Sequence, residues 1–371
     1  MAQMNPKPVS PRLLSTLLDW YRQNHRAMPW RGHPSPYAVW VSEIMLQQTQ
    51  IETVKPYFAR FLSSFPTVQA LAKADLESVL SLWQGLGYYA RARNLRRAAQ
   101  TVVERHQGKL PETALDLATL PGVGDYTAAA IASICFGDRA PAVDGNVARV
   151  LARVLLLDDD FRVPAARHKL VARLQPAFNE TPSPGDLNQA LMELGETVCR
   201  PRNPSCEACP LSSDCAAHIH GKQDRYPKRV AATKPPVRQA VAVLLRRGSR
   251  WLMIRRAEEG LLGGLWELPG GLILDNETAE AAAKRTIHTQ TGLQIEVAST
   301  EKTIKHGFSH FTLLLQLVEA REVGGRFRTP PDAQMRWVSA TTIKTLPVAT
   351  AHRRALEPKP AARVRREKRS P

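Results

Sequence analysis

The stretch KQDRYPKRVAATKPPVR, residues 222–238, divides the chain into two kinds of sequence. It is basic and carries three prolines, so it reads as an extended linker through which no helix continues. Ahead of it, helical patterns alternate with short polar turns. PRLLSTLLDWYRQ has apolar residues at helical spacing, and SPYAVWVSEIMLQQ opens with Ser35 as cap and Pro36 at the first helical position. The spacing recurs in LESVLSLWQGLG, ARNLRRAAQTVVERH, DYTAAAIASICFG and VARVLARVLLL. Beyond the linker, QAVAVLLRR, RWLMIRR and FTLLLQLVEA are strand-like, with a helix between the second and third. A chain of 371 residues exceeds one ordinary core. The expectation is therefore an all-α domain over 1–221, a linker over 222–236, an α+β domain over 237–347 and a disordered basic tail over 348–371.

Fifty-one Lys and Arg against 34 Asp and Glu give a formal charge of +17, which favours a polyanionic partner, nucleic acid or an anionic membrane surface. No apolar stretch approaches the roughly 20 residues of a membrane span, and MAQMNPKPVSPRLL lacks the basic-then-apolar order of a signal peptide. A cytoplasmic, nucleoid-associated protein is expected. Of the five cysteines, Cys199, Cys206, Cys209 and Cys215 form C-x6-C-x2-C-x5-C, a metal site in a reducing compartment rather than a disulfide framework. Spacing alone admits structural zinc as well as an iron–sulfur cluster. Cys135 lies on an apolar helix and reads as a small buried hydrophobe.

In LPGVGDYTAAA, Gly122 and Gly124 allow close approach of a phosphate to the backbone ahead of a helix N-terminus, although the same turn serves purely structural ends. Asp144 in PAVDGNVARV stands where a helix cap would. Hairpin, downstream Asp and four cysteines together resemble the helix-hairpin-helix DNA glycosylase superfamily. Within it, MPWRGHPSPYAVWVSEIMLQQTQIETV and WQGLGYYARARNL look like the MutY adenine DNA glycosylases, a resemblance running from about residue 10 to 345.

What the resemblance implies is excision of adenine mispaired with 8-oxoguanine or G in duplex DNA, by a monomer that flips the base. It implies a [4Fe–4S] cluster on the four cysteines, with Arg200 and Arg202 as phosphate contacts in the loop they close. Adenine leaves only when N7 is protonated, and its departure leaves a cationic sugar. Glu43, in the apolar AVWVSEIML, suits the proton donor because burial raises a carboxyl pKa. Asp144 is then the carboxylate that stabilises the cation, oriented with the attacking water by Asn146. Trp30, Arg31 and Gln189 line the adenine pocket; Gln48 and Tyr88 wedge into the duplex with Thr49 and Leu86 beside them. Tyr126 occupies the position where lyases of the superfamily carry a lysine, so strand cleavage is expected to be absent or weak.

In the second domain, GGLILDNETAEAAAKRTIHTQTGL resembles a Nudix pyrophosphohydrolase box, with Glu277 and Arg285 at their spacing from Gly271. Thr286, Thr289 and Gln290 replace the metal-binding glutamates and leave no anionic oxygens for Mg²⁺. HGFSHFTLLL resembles the loop by which MutY proteins sense 8-oxoguanine, with Phe308, Ser309 and His310 as its members. A reader without hydrolysis is expected. Three rivals make other demands. An endonuclease III-like lyase requires lysine at 126 and no second domain, a nucleotide-pool pyrophosphatase requires the missing glutamates, and a cluster-based redox sensor leaves Glu43 and Asp144 without work.

Overall fold

The computed structural model describes residues 9–32, 35–228, 234–330 and 334–357. It separates into two compact units, Met1–Asp75 with Arg91–Ala232, and Leu76–Ala90 with Thr233–Pro371.

The first unit is helical: α1 Pro11–Asn24, α2 Pro36–Leu46, α3 Ile51–Ser64 and α4 Val68–Lys73, then, after α5 Leu76–Trp83 of the other unit, α6 Ala90–Arg105, α7 Ala114–Leu117, α8 Asp125–Phe136, α9 Gly145–Leu155, α10 Pro164–Glu180, α11 Pro184–Thr197 and α12 Ala216–Ile219. Helix α2 is buried on every side from Tyr37 to Met45, as an all-round apolar sequence must be. Ser42 and Glu43 are the polar residues it takes inside. Helix α9 is amphipathic; its Val147, Val150, Leu151 and Val154 pack with Leu14 and Leu17 of α1 and Leu187, Leu191 and Leu194 of α11. Gly195 permits this closeness, because a Cβ there would lie 2.8 Å from that of Asn146.

In the second unit, β1 Val237–Arg247, β2 Arg250–Arg255, β3 Trp266–Glu267, β4 Gly270–Leu272, β5 Leu293–Gly307, β6 Thr312–Gly325 and β7 Gln334–Ser339 are accompanied by α13 Ala279–Thr291, α14 Ala340–Thr345 and α15 Thr350–Leu356. Strand β1 runs parallel to β6 and antiparallel to β2 and β4; β5 pairs with β6 and β7 with β2. Both faces of β1 are covered. Val241, Val243 and Leu245 meet Ala282, Ala283 and Ile287 of α13. Ala240, Ala242 and Leu244 share the other core with Trp266, Val348, Ala351 and Ala355. The α+β architecture agrees with the sequence.

Three boundaries differ from the expected ones. Residues 76–90 group with the second unit because their contacts go there: Leu76 and Leu80 touch Gly264, and Trp266 Nε1 donates to Glu77 at 3.0 Å. The linker begins docked rather than free, as Arg153 holds the carbonyls of Gln223 at 2.9 Å and Tyr226 at 3.1 Å; residues 229–233 lie outside the described residues. The expected tail from 348 is ordered through 357, since Ala351, His352 and Ala355 bury one face of α15, while its basic end, 358–371, lies outside the described residues.

Candidate active site

Burial governs the chemistry of Glu43. Its side chain opens onto a cavity of about 170 Å³ whose lining includes Trp30, Arg31, Thr49, Tyr126, Asp144, Asn146 and Gln189, all residues singled out from sequence. That volume is comparable with the ~150 Å³ engineered cavity that holds benzene. Desolvation, reinforced by the nearby Asp144 carboxylate, pushes the Glu43 carboxyl up to about 7, against smaller opposing effects of the Tyr126 hydroxyl and Arg31. Near neutral pH, Glu43 therefore carries a transferable proton. Tyr126 faces Glu43 and has its hydroxyl 3.4 Å from Met192 Sδ; burial and the two carboxylates hold its phenol well above its ordinary range.

Asp144 is indeed the cap of α9, accepting from Val147 N at 2.8 Å, and the same side chain lines the cavity. Cap and site residue are thus one group. Asn146 Nδ2 donates to its other oxygen at 3.1 Å. Burial raises the Asp144 carboxyl, while these donors and Arg149 act to keep it ionised. Arg149, which sequence reading missed, bridges from Asn146 Oδ1 at 2.8 Å to the carbonyls of Gly195 at 2.8 Å and Cys199 at 2.9 Å. The basic spacing of VARVLARV was its signal: a buried arginine needs acceptors.

The opposite wall is built by α11, where Gln189, Glu193 and Glu196 recur at i, i+4 and i+7 on one face. Arg31 donates Nε to Gln189 Oε1 at 3.1 Å and Nη2 to Glu193 at 3.1 Å. Arg26 pairs with Glu193 at 2.6 Å and Glu196 at 2.9 Å. Burial would raise the Glu193 carboxyl, but the two arginines hold it below its ordinary range. Trp30 is buried, edge-on to Phe58 at 5.4 Å, so it is core aromatic and cavity wall together.

Gln48 and Tyr88 each adopt a left-handed backbone, φ 57° and 48°, a conformation side-chain-bearing residues reach only at some cost. Tyr88 is nearly half exposed, whereas Leu86 is buried. Thr49 accepts from the buried Arg91 at 3.0 Å. In the hairpin, Gly122 has φ +77° and lies against Asn94, while Gly124 caps α8 over open space. Arg200 is turned onto Asn203 and Ser205 of its own loop, and Arg202 is exposed.

The four cysteines suit a cluster. Cys199, Cys209 and Cys215 pack on the helical core, and the thiols lie close enough to Cys206 and one another to act electrostatically. Arg153, almost fully buried, places Nη1 3.2 Å from Cys199 Sγ and has no carboxylate partner among the described residues. Thiolates ligating an iron–sulfur cluster would compensate that charge. In the second unit, Thr286 bonds back to Ala282 and Ala283, and Gln290 clasps Gly270 through both its amide atoms, while Thr289 is exposed. Ser309 and His310 are exposed; Phe308 stacks on Phe311 at 4.5 Å, and Ser309 Oγ is 3.5 Å from Tyr88 Oη.

Known families match in the same order. Residues 41–176 match the HhH-GPD superfamily base excision DNA repair proteins, 199–215 the iron–sulfur binding domain of endonuclease III, and 240–358 the NUDIX domain. The chain thus carries a glycosylase fold, a [4Fe–4S] segment and a Nudix-like domain. Among solved structures, a thermostable thymine-DNA glycosylase is similar with TM-score 0.50 and 27% identity, over 56% of this chain and 96% of its own. An adenine DNA glycosylase of Arabidopsis thaliana is 34% identical, covering 91% of this chain, which spans 62% of that relative's length. With the adenine DNA glycosylase of Homo sapiens, identity is 35%, over 91% of this chain and 72% of the relative. On that likeness, and with the three segments in their order, the chain belongs to the adenine DNA glycosylase family.

Proposed function

We propose that the protein hydrolyses the N-glycosidic bond of adenine mispaired with 8-oxoguanine or G in duplex DNA. One observation carries the reading: a buried Glu43 whose carboxyl stays protonated to about 7 shares a base-sized cavity with Asp144. Extruding adenine costs a few kcal/mol of stacking and pairing, and the left-handed Gln48 and Tyr88 support roles as wedges that fill the gap. In the cavity, Glu43 gives its proton to N7 and makes the base a leaving group. Asp144, supplied with donors by Val147 and Asn146, faces the positive charge that develops at C1′ as the N9–C1′ pair leaves with adenine; a water then bonds to C1′ and gives its proton to the Glu43 carboxylate. When bound, the cluster would brace the loop that carries the exposed Arg202 toward phosphates, and Arg200 would join it by leaving Asn203 and Ser205. No amine stands at position 126, so Tyr126 supports hydrolysis without β-elimination.

The second unit is the reader of the opposite base, with Ser309 Oγ accepting from N7–H and donating to O8 of 8-oxoguanine. Thr286 and Gln290, spent on internal hydrogen bonds, support a domain without Mg²⁺-dependent hydrolysis. The test is single-turnover base release from duplexes containing A opposite 8-oxoguanine, A opposite G, and thymine glycol, with and without alkali. Adenine release that needs alkali for strand scission is expected. Release of thymine glycol, or alkali-independent nicking, would point to the lyase instead.

A further inference from the structure

Glu193 has no part in the chemistry just described, yet it is the most heavily bonded carboxylate of the site. Its side chain is 2% exposed. Four N–H groups converge on it: Arg26 N at 3.1 Å, Arg26 Nε at 2.6 Å, Arg26 Nη2 at 3.2 Å and Arg31 Nη2 at 3.1 Å. Its lone pairs are committed, so it neither takes a proton from a substrate nor reads a base. Its effect is on Arg31. That guanidinium is fixed by Glu193 on one side and by Arg26 O, at 2.6 Å, on another, and it delivers Nε–H to Gln189 Oε1 at 3.1 Å. A guanidinium has only donors, so the amide atom facing it must be the oxygen. The Gln189 NH₂ is left for the cavity that Gln189 lines.

We propose that Glu193 is a specificity-determining positioning residue: through Arg31 it locks the Gln189 amide so that the pocket presents a donor, which accepts adenine's bare N1 and rejects purines bearing N1–H. The inference rests on the cavity being the base pocket. With the relay intact, an N1–H base sets donor against donor and leaves both unsatisfied. Without it the amide is free to turn over, and its oxygen accepts from N1–H.

The experiment is single-turnover base release by the full, cluster-loaded chain from duplexes carrying adenine, hypoxanthine or unsubstituted purine opposite the same partner base. Hypoxanthine has N1–H; unsubstituted purine keeps the N1 acceptor and lacks only the amino group. Glu193→Gln should narrow the adenine-to-hypoxanthine rate ratio about 10-fold while leaving the adenine-to-purine ratio within about 2-fold. Glu193→Asp, which keeps the charge, should restore most of the discrimination. General damage to the fold would slow all three bases by one factor, and that result overturns the proposal. If Glu193→Gln does not fold, Arg31→Met cuts the same relay at its other end and leaves Glu193 paired with Arg26; an unchanged ratio there overturns it equally. Glu43→Gln separates the two readings: base release surviving in that variant means the cavity itself is misassigned, whereas its loss beside an unchanged Glu193→Gln ratio means that only the relay is wrong.

Discussion

Glu43 is costly to the fold for the same reason that it is useful. Burial raises its carboxyl to about 7, so the folded chain retains a proton that the unfolded chain releases near its ordinary value of 4.5. The associated stability is complete below that ordinary value and lost as pH rises through about 7, a difference of about 3 kcal/mol. Two measurements follow. Single-turnover release should decline above about pH 7 as Glu43 loses its proton and decline again in acid as the buried Asp144 takes one up, and Glu43→Gln should abolish release while flattening the fall of Tm between about pH 5 and 8. A rate that climbs through pH 7 would assign the proton to another group. Asp144→Asn separates cap from chemistry, because Asn caps helices about as well as Asp. Stability should change by less than about 1 kcal/mol while the rate falls about 10²- to 10³-fold; equal losses in both would reduce Asp144 to its cap. The burial of Glu43 was legible because an acid in an all-round apolar helix is carried inside with its neighbours. Glu193 and Arg26 were not, since 167 positions separate the partners and nothing local announces an ion pair formed only in the fold.

At the level of elements, the hairpin before α8 puts two glycines to different uses. Gly122 has φ +77°, and a Cβ there would lie 2.5 Å from Asn94 Cβ, so Gly122→Ala should cost about 1–3 kcal/mol and lower Tm. Gly124 has φ −91° and open space, so Gly124→Ala should leave Tm nearly unchanged yet weaken duplex binding if a phosphate approaches that backbone. Loss of Tm with normal binding in Gly124→Ala would make the turn structural alone. At the start of the same helix, Tyr126→Lys adds an amine beside Glu43, and borohydride should trap a covalent enzyme–DNA adduct that the unmodified protein does not form. Long helices and the buried β1 were readable from periodicity. Strand β5 was not, because LQIEVASTEKTIKHG alternates between burial and exposure, interrupted by register shifts, and its apolar half is too sparse to mark a strand. Helix α15 escaped because alanines and a histidine bury a face that composition alone counts as weakly apolar, next to a run of arginines and lysines.

Across the whole molecule, the two compact units are interrupted rather than consecutive, and this decides how the reader role can be tested. Removing the chain beyond the linker would also strip Leu76, Glu77 and Leu80 of Gly264 and Trp266, so lost activity in a truncated protein would confuse a damaged helix with a missing reader. A point change avoids this. Ser309 is exposed, and among the described residues its hydroxyl makes one long contact, 3.5 Å, with Tyr88 Oη, so Ser309→Ala should leave the unfolding free energy within about 0.5 kcal/mol of the unmodified protein. One or two hydrogen bonds to 8-oxoguanine, at about 1–3 kcal/mol, correspond to about a 10- to 100-fold preference over G. The ratio of single-turnover rates on A:8-oxoguanine and A:G duplexes should shrink towards that extent in Ser309→Ala, with the A:G rate itself little changed. The same protein given Mg²⁺ and 8-oxo-dGTP should release no pyrophosphate, because position 286 offers a buried, internally bonded hydroxyl and position 290 an amide engaged with Gly270. An undiminished ratio in Ser309→Ala would remove this loop from recognition of the opposite base, and sustained nucleotide turnover would return the second unit to the hydrolases.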